Sequence, residues 1–168
     1  MLVEIIRKQH LELRELFARH QEMLLVGQFD EAKVWLEHYA LCQKAHMQIE
    51  DNYLIPEFAN IERKSKWDSS LYEKEHEKIT HLYQNITDDL NWLAEQDLNE
   101  SNKRRNIIAL LDKEKTLKGL NEHHEEREEE AMLKELDEQL EQRQLKELKL
   151  DINLTWAEVI ALVRESTN

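Results

Sequence analysis

Residues 2–26, LVEIIRKQHLELRELFARHQEMLLV, set Leu2, Ile6, His10, Leu13, Phe17, His20 and Leu24 at successive spacings of 4-4-3-4-3-4. That is the one-face repeat of an α-helix. Gly27 follows, where a left-handed residue would close the helix. The same alternation recurs along the chain. Asp30 is placed to cap a second helix bearing Trp35, Tyr39, Cys42, His46, Ile49/Glu50 and Tyr53, which Pro56 is expected to kink or finish. After a polar stretch at 62–68, Ser70 with Glu73 makes a capping box. The helix it opens carries Tyr72, His76, Ile79, Tyr83, Ile86, Leu90 and Leu93. The polar turn QDLNESN (96–102) precedes a fourth helix starting near Lys103, with Ile107, Leu110, Leu117, Leu120, His124, Glu128 and Ala131 on its stripe. Its pattern runs on weakly toward Leu148, long enough that a break or an overhang is expected. Thr155 and Glu158 form another capping box, opening a short apolar helix through Val163 that would fold back over one end of the bundle.

The remaining composition agrees with helices only. Two glycines and one proline in 168 residues exclude most turn-rich β architectures. With 40% apolar residues the chain can bury a core. The expected fold is all-α, an antiparallel up-down-up-down four-helix bundle over residues 1–140. Residues 141–168 would form a C-terminal extension with a short helix. The 36 acidic against 23 basic side chains, a formal charge of −13, argue against nucleic acid and against an anionic membrane surface. No apolar run approaches the ~18 residues of a membrane span. A charge at residue 4 is unlike a secretory signal. Cys42 is the single cysteine, which suits a reducing compartment. A cytoplasmic protein is expected, and the charged stretch 135–148 with the last helix offers a surface for a possible homodimer.

Eight histidines are distributed unevenly. His46 with Glu50, and His124 with Glu128, read H-x-x-x-E, which sets imidazole and carboxylate one turn apart on one face. The first turn centres near residue 28, with His10 18 residues before it and His46 18 after. The third turn centres near 98, with His76 22 residues before it and His124 26 after. At ~1.5 Å of rise per residue, antiparallel helices bring all four imidazoles to nearly one level. Burying them beside two carboxylates without compensation would cost many kcal/mol. A dinuclear cation removes that cost, because carboxylates bridge and neutral imidazoles donate lone pairs. Four nitrogens and two bridging carboxylates give each ion four bonds. A bridging oxide or hydroxide would make five, leaving an open position suited to a small diatomic ligand.

These residues resemble a family. His10, His46-x-x-x-Glu50, His76 and His124-x-x-x-Glu128 look like the hemerythrin-like (HHE cation-binding) domain, and AHMQIEDNYLIPEF (45–58) is similar to that family's second-helix pattern. The resemblance spans about residues 2–140. It implies two iron ions bridged by oxide or hydroxide, held by His10, His46, His76 and His124 with Glu50 and Glu128 bridging; other divalent metals suit the same donors. It further implies reversible binding of dioxygen or nitric oxide for sensing, storage or repair of iron and nitrosative damage, rather than enzymatic turnover. Oxygen-carrying hemerythrins have H-x-x-x-H on the third helix, where this chain has Thr80 as the second member. They have H-x-x-x-x-D on the fourth, a spacing that His123 with Glu128 imitates, so His123 and His124 both remain candidates there. The four-histidine, two-glutamate set looks closer to the iron-repair and bacterial branch.

Other functions make different demands. A ferritin-like di-iron oxidase requires Glu-x-x-His on two helices, and only Glu73/His76 has that spacing. A metal-free acidic helical adaptor would use the charged surface and keep its partner when His46 or Glu50 is replaced. A zinc hydrolase would carry H-E-x-x-H, which is absent. His20 lies ten residues from His10, about 15 Å along the helix, and is read as structural. His81 lies on a wet face, and Trp35, Trp67, Trp92 and Trp156 are read as packing. There is also a loose internal repeat. RKQHLELRELF (7–17) resembles YEKEHEKITHLY (72–83), and QKAHMQIEDNYL (43–54) resembles LNEHHEEREEEAML (120–133).

Overall fold

The computed structural model describes residues 1–166, whose regular structure is entirely helical, with no strand among them. Helix α1, Leu2–Leu25, buries the full predicted stripe from Leu2 to Leu24. It ends in a Schellman motif: Gln28 N–H donates to the Met23 carbonyl and Gly27 N–H to the Leu24 carbonyl, at 2.9 and 3.0 Å. Gly27 takes a φ of 76°, which a side chain resists. Helix α2, Phe29–Ile49, starts directly afterwards with Gln28 at the N-cap, not Asp30. Asp30 and Glu31 instead lie in the first turn, where carboxylates suit the helix dipole.

Pro56 does not finish α2. A π-turn, Glu50–Leu54, leads into a further short helix α3, Ile55–Asn60, with Pro56 in its first turn, where a missing N–H leaves no bond unmade. Helix α4, Ser69–Ala94, is capped by Asp68, which accepts from Leu71 N–H, rather than by a Ser70/Glu73 box. Ser70 donates its hydroxyl to Asp68 at 2.6 Å, reinforcing the cap from inside. All seven predicted core positions of α4 are buried. Helix α5, Glu100–Arg127, begins at the Asn99 cap and passes into a second π-turn, Glu128–Met132, followed by α6, Leu133–Gln139.

The largest departure is at the C-terminal end. The chain breaks at Leu140 and Glu141, both extended, and then forms α7, Gln142–Glu165, of 24 residues. The expected short helix is the second half of this one. Thr155 sits mid-helix, and the capping box is Glu141 with Gln144. Nor does α7 cover an end. Ile152, Trp156, Val159 and Val163 bury their side chains in the common core. Trp156 donates from Nε1 to Glu12 of α1 at 2.7 Å, and Ser166 is bonded to His38 of α2 at 2.9 Å. The helix therefore runs along the α1–α2 side.

Helices α1, α2, α4 and α5 pack in a ring, α1 on α2, α2 on α4, α4 on α5 and α5 on α1, around one helical-bundle core. Trp92 is more than half exposed and does not pack as predicted. Among the described residues no helix is long and apolar enough to cross a membrane.

Candidate metal centre

Each of the four ring helices delivers one histidine to the bundle interior, and all six predicted ligands are 5% exposed or less. They form two groups of four that share both glutamates: His10, His46, Glu50 and Glu128; and His76, His124, Glu50 and Glu128. In each group the potential ligand atoms lie within 4.8 Å of one another. The glutamates are divided evenly. Glu50 turns Oε1 to His46 Nε2 at 2.7 Å and Oε2 to His76 Nε2 at 2.7 Å. Glu128 turns Oε2 to His10 Nε2 at 3.0 Å and Oε1 to His124 Nε2 at 2.7 Å.

These short distances are mostly not hydrogen bonds. His10 Nε2, His46 Nε2, Glu50 Oε1 and both Glu128 oxygens are buried without a hydrogen-bond partner. Unmade bonds of this kind are expensive in an apolar interior. Nitrogen and oxygen lone pairs that converge on shared points, and not along one another's axes, are what cation coordination needs. The donor set fits a pair of cations.

The outer ring nitrogens fix this orientation. His10 Nδ1 donates to Glu129 at 3.1 Å, His46 Nδ1 to Gln9 at 2.9 Å, His76 Nδ1 to Asp51 at 2.8 Å and His124 Nδ1 to Glu75 at 2.8 Å. Since these oxygens only accept, each Nδ1 carries a proton and each Nε2 faces inward. Arg7 holds Glu129, and Arg127 holds Glu75. Neither Gln9, Asp51, Glu75 nor Glu129 is evident from the stripe pattern. The available signal is adjacency: each is the immediate neighbour of a ligand in the chain.

The electrostatics reflect six ionisable groups in one dry space. Burial by itself would lower the His10 imidazole, but the neighbouring Glu128 and Glu129 carboxylates overcome this and lift it to about 10. His76 rises to about 9 against the same burial penalty, through Asp51 and Glu50. His124 stands well above its ordinary value, with burial opposed by Glu128, Glu50 and Glu75. Burial would raise Glu50, yet His46, His124 and His76 bring it well below the carboxylate range. The carboxylates thus hold protons on His10, His76 and His124, and a cation would take the place of those protons.

Glu50 and Glu128 each occupy the first position of a π-turn, Glu50–Leu54 and Glu128–Met132. One extra residue in the turn shifts everything beyond it. This lets Glu50 and Asp51, or Glu128 and Glu129, serve the centre together, a frequent use of such turns. His123 is settled by the same helix. Its side chain is 70% exposed and pairs with Glu126, whereas His124 is buried. Glu73 is exposed, so the one ferritin-like spacing does not reach the interior.

His20 lies outside both groups of potential ligands. In the structure its Nε2 meets Glu114 at 2.6 Å, both side chains fully buried. Glu114 fills the vacant stripe position between Leu110 and Leu117, which a hydrophobicity pattern passes over.

A cavity of about 250 Å³ adjoins the centre between α1, α2 and α5, with Leu13, Phe17, Tyr39, Gln43, Asn121 and Glu125 in its wall. Leu13, Gln43 and Asn121 lie three residues from His10, His46 and His124, about 4.5 Å along their helices.

Comparison with known proteins adds no relative: no protein-family model matches the chain, and no curated protein or solved structure is similar to it.

Proposed function

We propose that this chain is a non-haem di-iron protein of the hemerythrin-like type, an antiparallel up-down-up-down bundle that binds dioxygen or nitric oxide reversibly in sensing, storage or stress repair. The observation that carries this reading is the division of Glu50 and Glu128, one oxygen of each toward each histidine pair. Such an arrangement serves two ions bridged by carboxylates, and a single ion would leave half of it unused. His10 and His46 would hold one ion and His76 and His124 the other. Iron there supplies a redox-active, coordinatively open site for a diatomic ligand. The protein's contribution is to fix the imidazoles through their Nδ1 bonds, exclude bulk water, and keep a small chamber beside the ligand plane.

Elemental analysis of purified protein, with absorption spectra recorded anaerobically and in air, tests this. About two irons per chain and near-ultraviolet charge-transfer absorption that responds reversibly to oxygen or nitric oxide are expected. Protein that folds without metal and ignores ferrous iron would overturn the reading and leave the acidic adaptor in its place.

A further inference from the structure

The centre is nearly two-fold symmetric in its chemistry, and one residue breaks the symmetry. The internal repeat aligns Gln9-His10 with Glu75-His76, and His46-Glu50-Asp51 with His124-Glu128-Glu129. The hydrogen bonds follow this alignment. The residue before the ligand histidine of α1 and of α4 supports the imidazole of the next bundle helix: Gln9 supports His46 and Glu75 supports His124. The residue after each bridging glutamate supports an imidazole on the other neighbouring helix of the ring: Asp51 supports His76 and Glu129 supports His10. Three of the four supports are carboxylates and the fourth is an amide.

A carboxylate on Nδ1–H pushes electron density into the ring and strengthens Nε2 as a donor, whereas a neutral amide does so less. Both imidazoles of the His76/His124 pair have carboxylate support. In the His10/His46 pair only His10 does. Gln9 is 1% exposed and its Nε2 has no partner, so the amide spends its one useful bond on His46. Access points the same way. His76 borders an open groove between α2 and α4 that Asp51 and Glu77 also line, while His46 lies under α7 with the Trp156 ring 6.5 Å away.

Resting on the di-iron reading above, we propose that the two positions load in order, His76/His124 first and more tightly, and that Gln9 sets this order as a positioning residue. Calorimetric and visible-absorption titration of metal-stripped, full-length protein with Co²⁺ tests it. The expected result is two steps of one equivalent each, separated by about ten-fold or more in affinity. His76→Ala should remove the tighter step and His10→Ala the weaker. Gln9→Glu should tighten the weaker step and close the gap, even though a buried carboxylate burdens the metal-free fold; a merely structural role would weaken binding instead. Should that variant not fold, Glu75→Gln provides the converse, weakening the tighter step by about ten-fold. Two equivalents binding with one affinity overturns the ordering, and a gap that neither substitution alters overturns Gln9's part in it; both results leave the di-metal reading intact. No cobalt binding at all removes both.

Discussion

Two buried histidine–carboxylate clusters share this bundle, and they are built on opposite principles. At His20, ring Nδ1 is bonded to the Ala32 carbonyl at 2.9 Å, Nε2 to Glu114 at 2.6 Å, and the second Glu114 oxygen accepts from Gln21 at 2.8 Å. Every polar atom of the pair has a partner from the protein itself. At the centre, the outer nitrogens are satisfied, whereas the inner Nε2 of His10 and His46, Oε1 of Glu50 and both Glu128 oxygens are not, and these unmade bonds converge on one region. Burial and residue type are the same in both. The direction of the unsatisfied lone pairs separates a structural ion pair from a site.

The strongest way to break the comparison is to remove Glu50, because it gives an oxygen to both halves. Glu50→Ala should abolish binding of both ions, measured as metal per chain, with the helices retained. If the variant keeps a full complement of metal, the centre is no more a site than His20 and Glu114 are.

Next in size is the reciprocal change. Glu114→Leu strands His20 in the interior and should cost about 3 kcal/mol in denaturant unfolding. Metal content should not change. The double substitution His20→Leu with Glu114→Leu should recover most of that loss, since a buried pair replaced by apolar side chains is often neutral. Loss of metal in the single variant would mean the two clusters are coupled.

Proton linkage provides a third, graded contrast. In metal-stripped protein His10 and His76 titrate in the folded state at about 10 and about 9, above the ordinary 6.5. Their contribution to stability is complete below 6.5 and is lost as pH rises through 9 to 10. Glu129 is brought down to about 2 by its bond to His10, against burial, with Arg7 assisting; its contribution is present above 4.5 and is lost as pH falls toward 2. Metal-stripped protein should be most stable between about pH 4.5 and 6.5. Loading should release protons and remove the alkaline decline, because the cation then balances the carboxylates. Thermal unfolding across pH, with and without metal, reads this directly, and identical profiles would contradict the site.

The same contrast explains what the sequence makes legible. The α1 and α4 stripes are legible because, apart from Gln9 and Glu75, their buried positions are apolar or histidine at helical spacing, and the four histidines come to one level because the α1–α2 and α4–α5 turns are short. Glu114 escapes notice because a glutamate at a core position looks like a gap between Leu110 and Leu117. The π-turns at Glu50 and Glu128 leave no mark in composition; they are a one-residue change of hydrogen bonding that only the fold reveals. The first half of α7 is hidden by its wet face, since Lys146, Glu147 and Lys149 surround the buried Leu145 and the next buried side chain is Ile152. The caps expected at Asp30 and Ser70 each lie two residues beyond the observed ones, Gln28 and Asp68, because polar neighbours compete for the role.

The smallest expected effect is also the sharpest test of register. His123 and His124 are neighbours, each with a glutamate within reach along the helix, and a step of about 100° around the axis separates solvent from the centre. His123→Ala should shift stability by no more than about 0.5 kcal/mol and leave metal content and spectrum unchanged, since its only ion pair is an exposed one with Glu126 at 3.5 Å. His124→Ala removes an imidazole that contacts Glu128 and Glu75 and should lose metal. If the two variants exchanged phenotypes, α5 would have to be rotated by one residue. Glu128 would then leave the centre, and the division of its oxygens between the two histidine pairs would go with it.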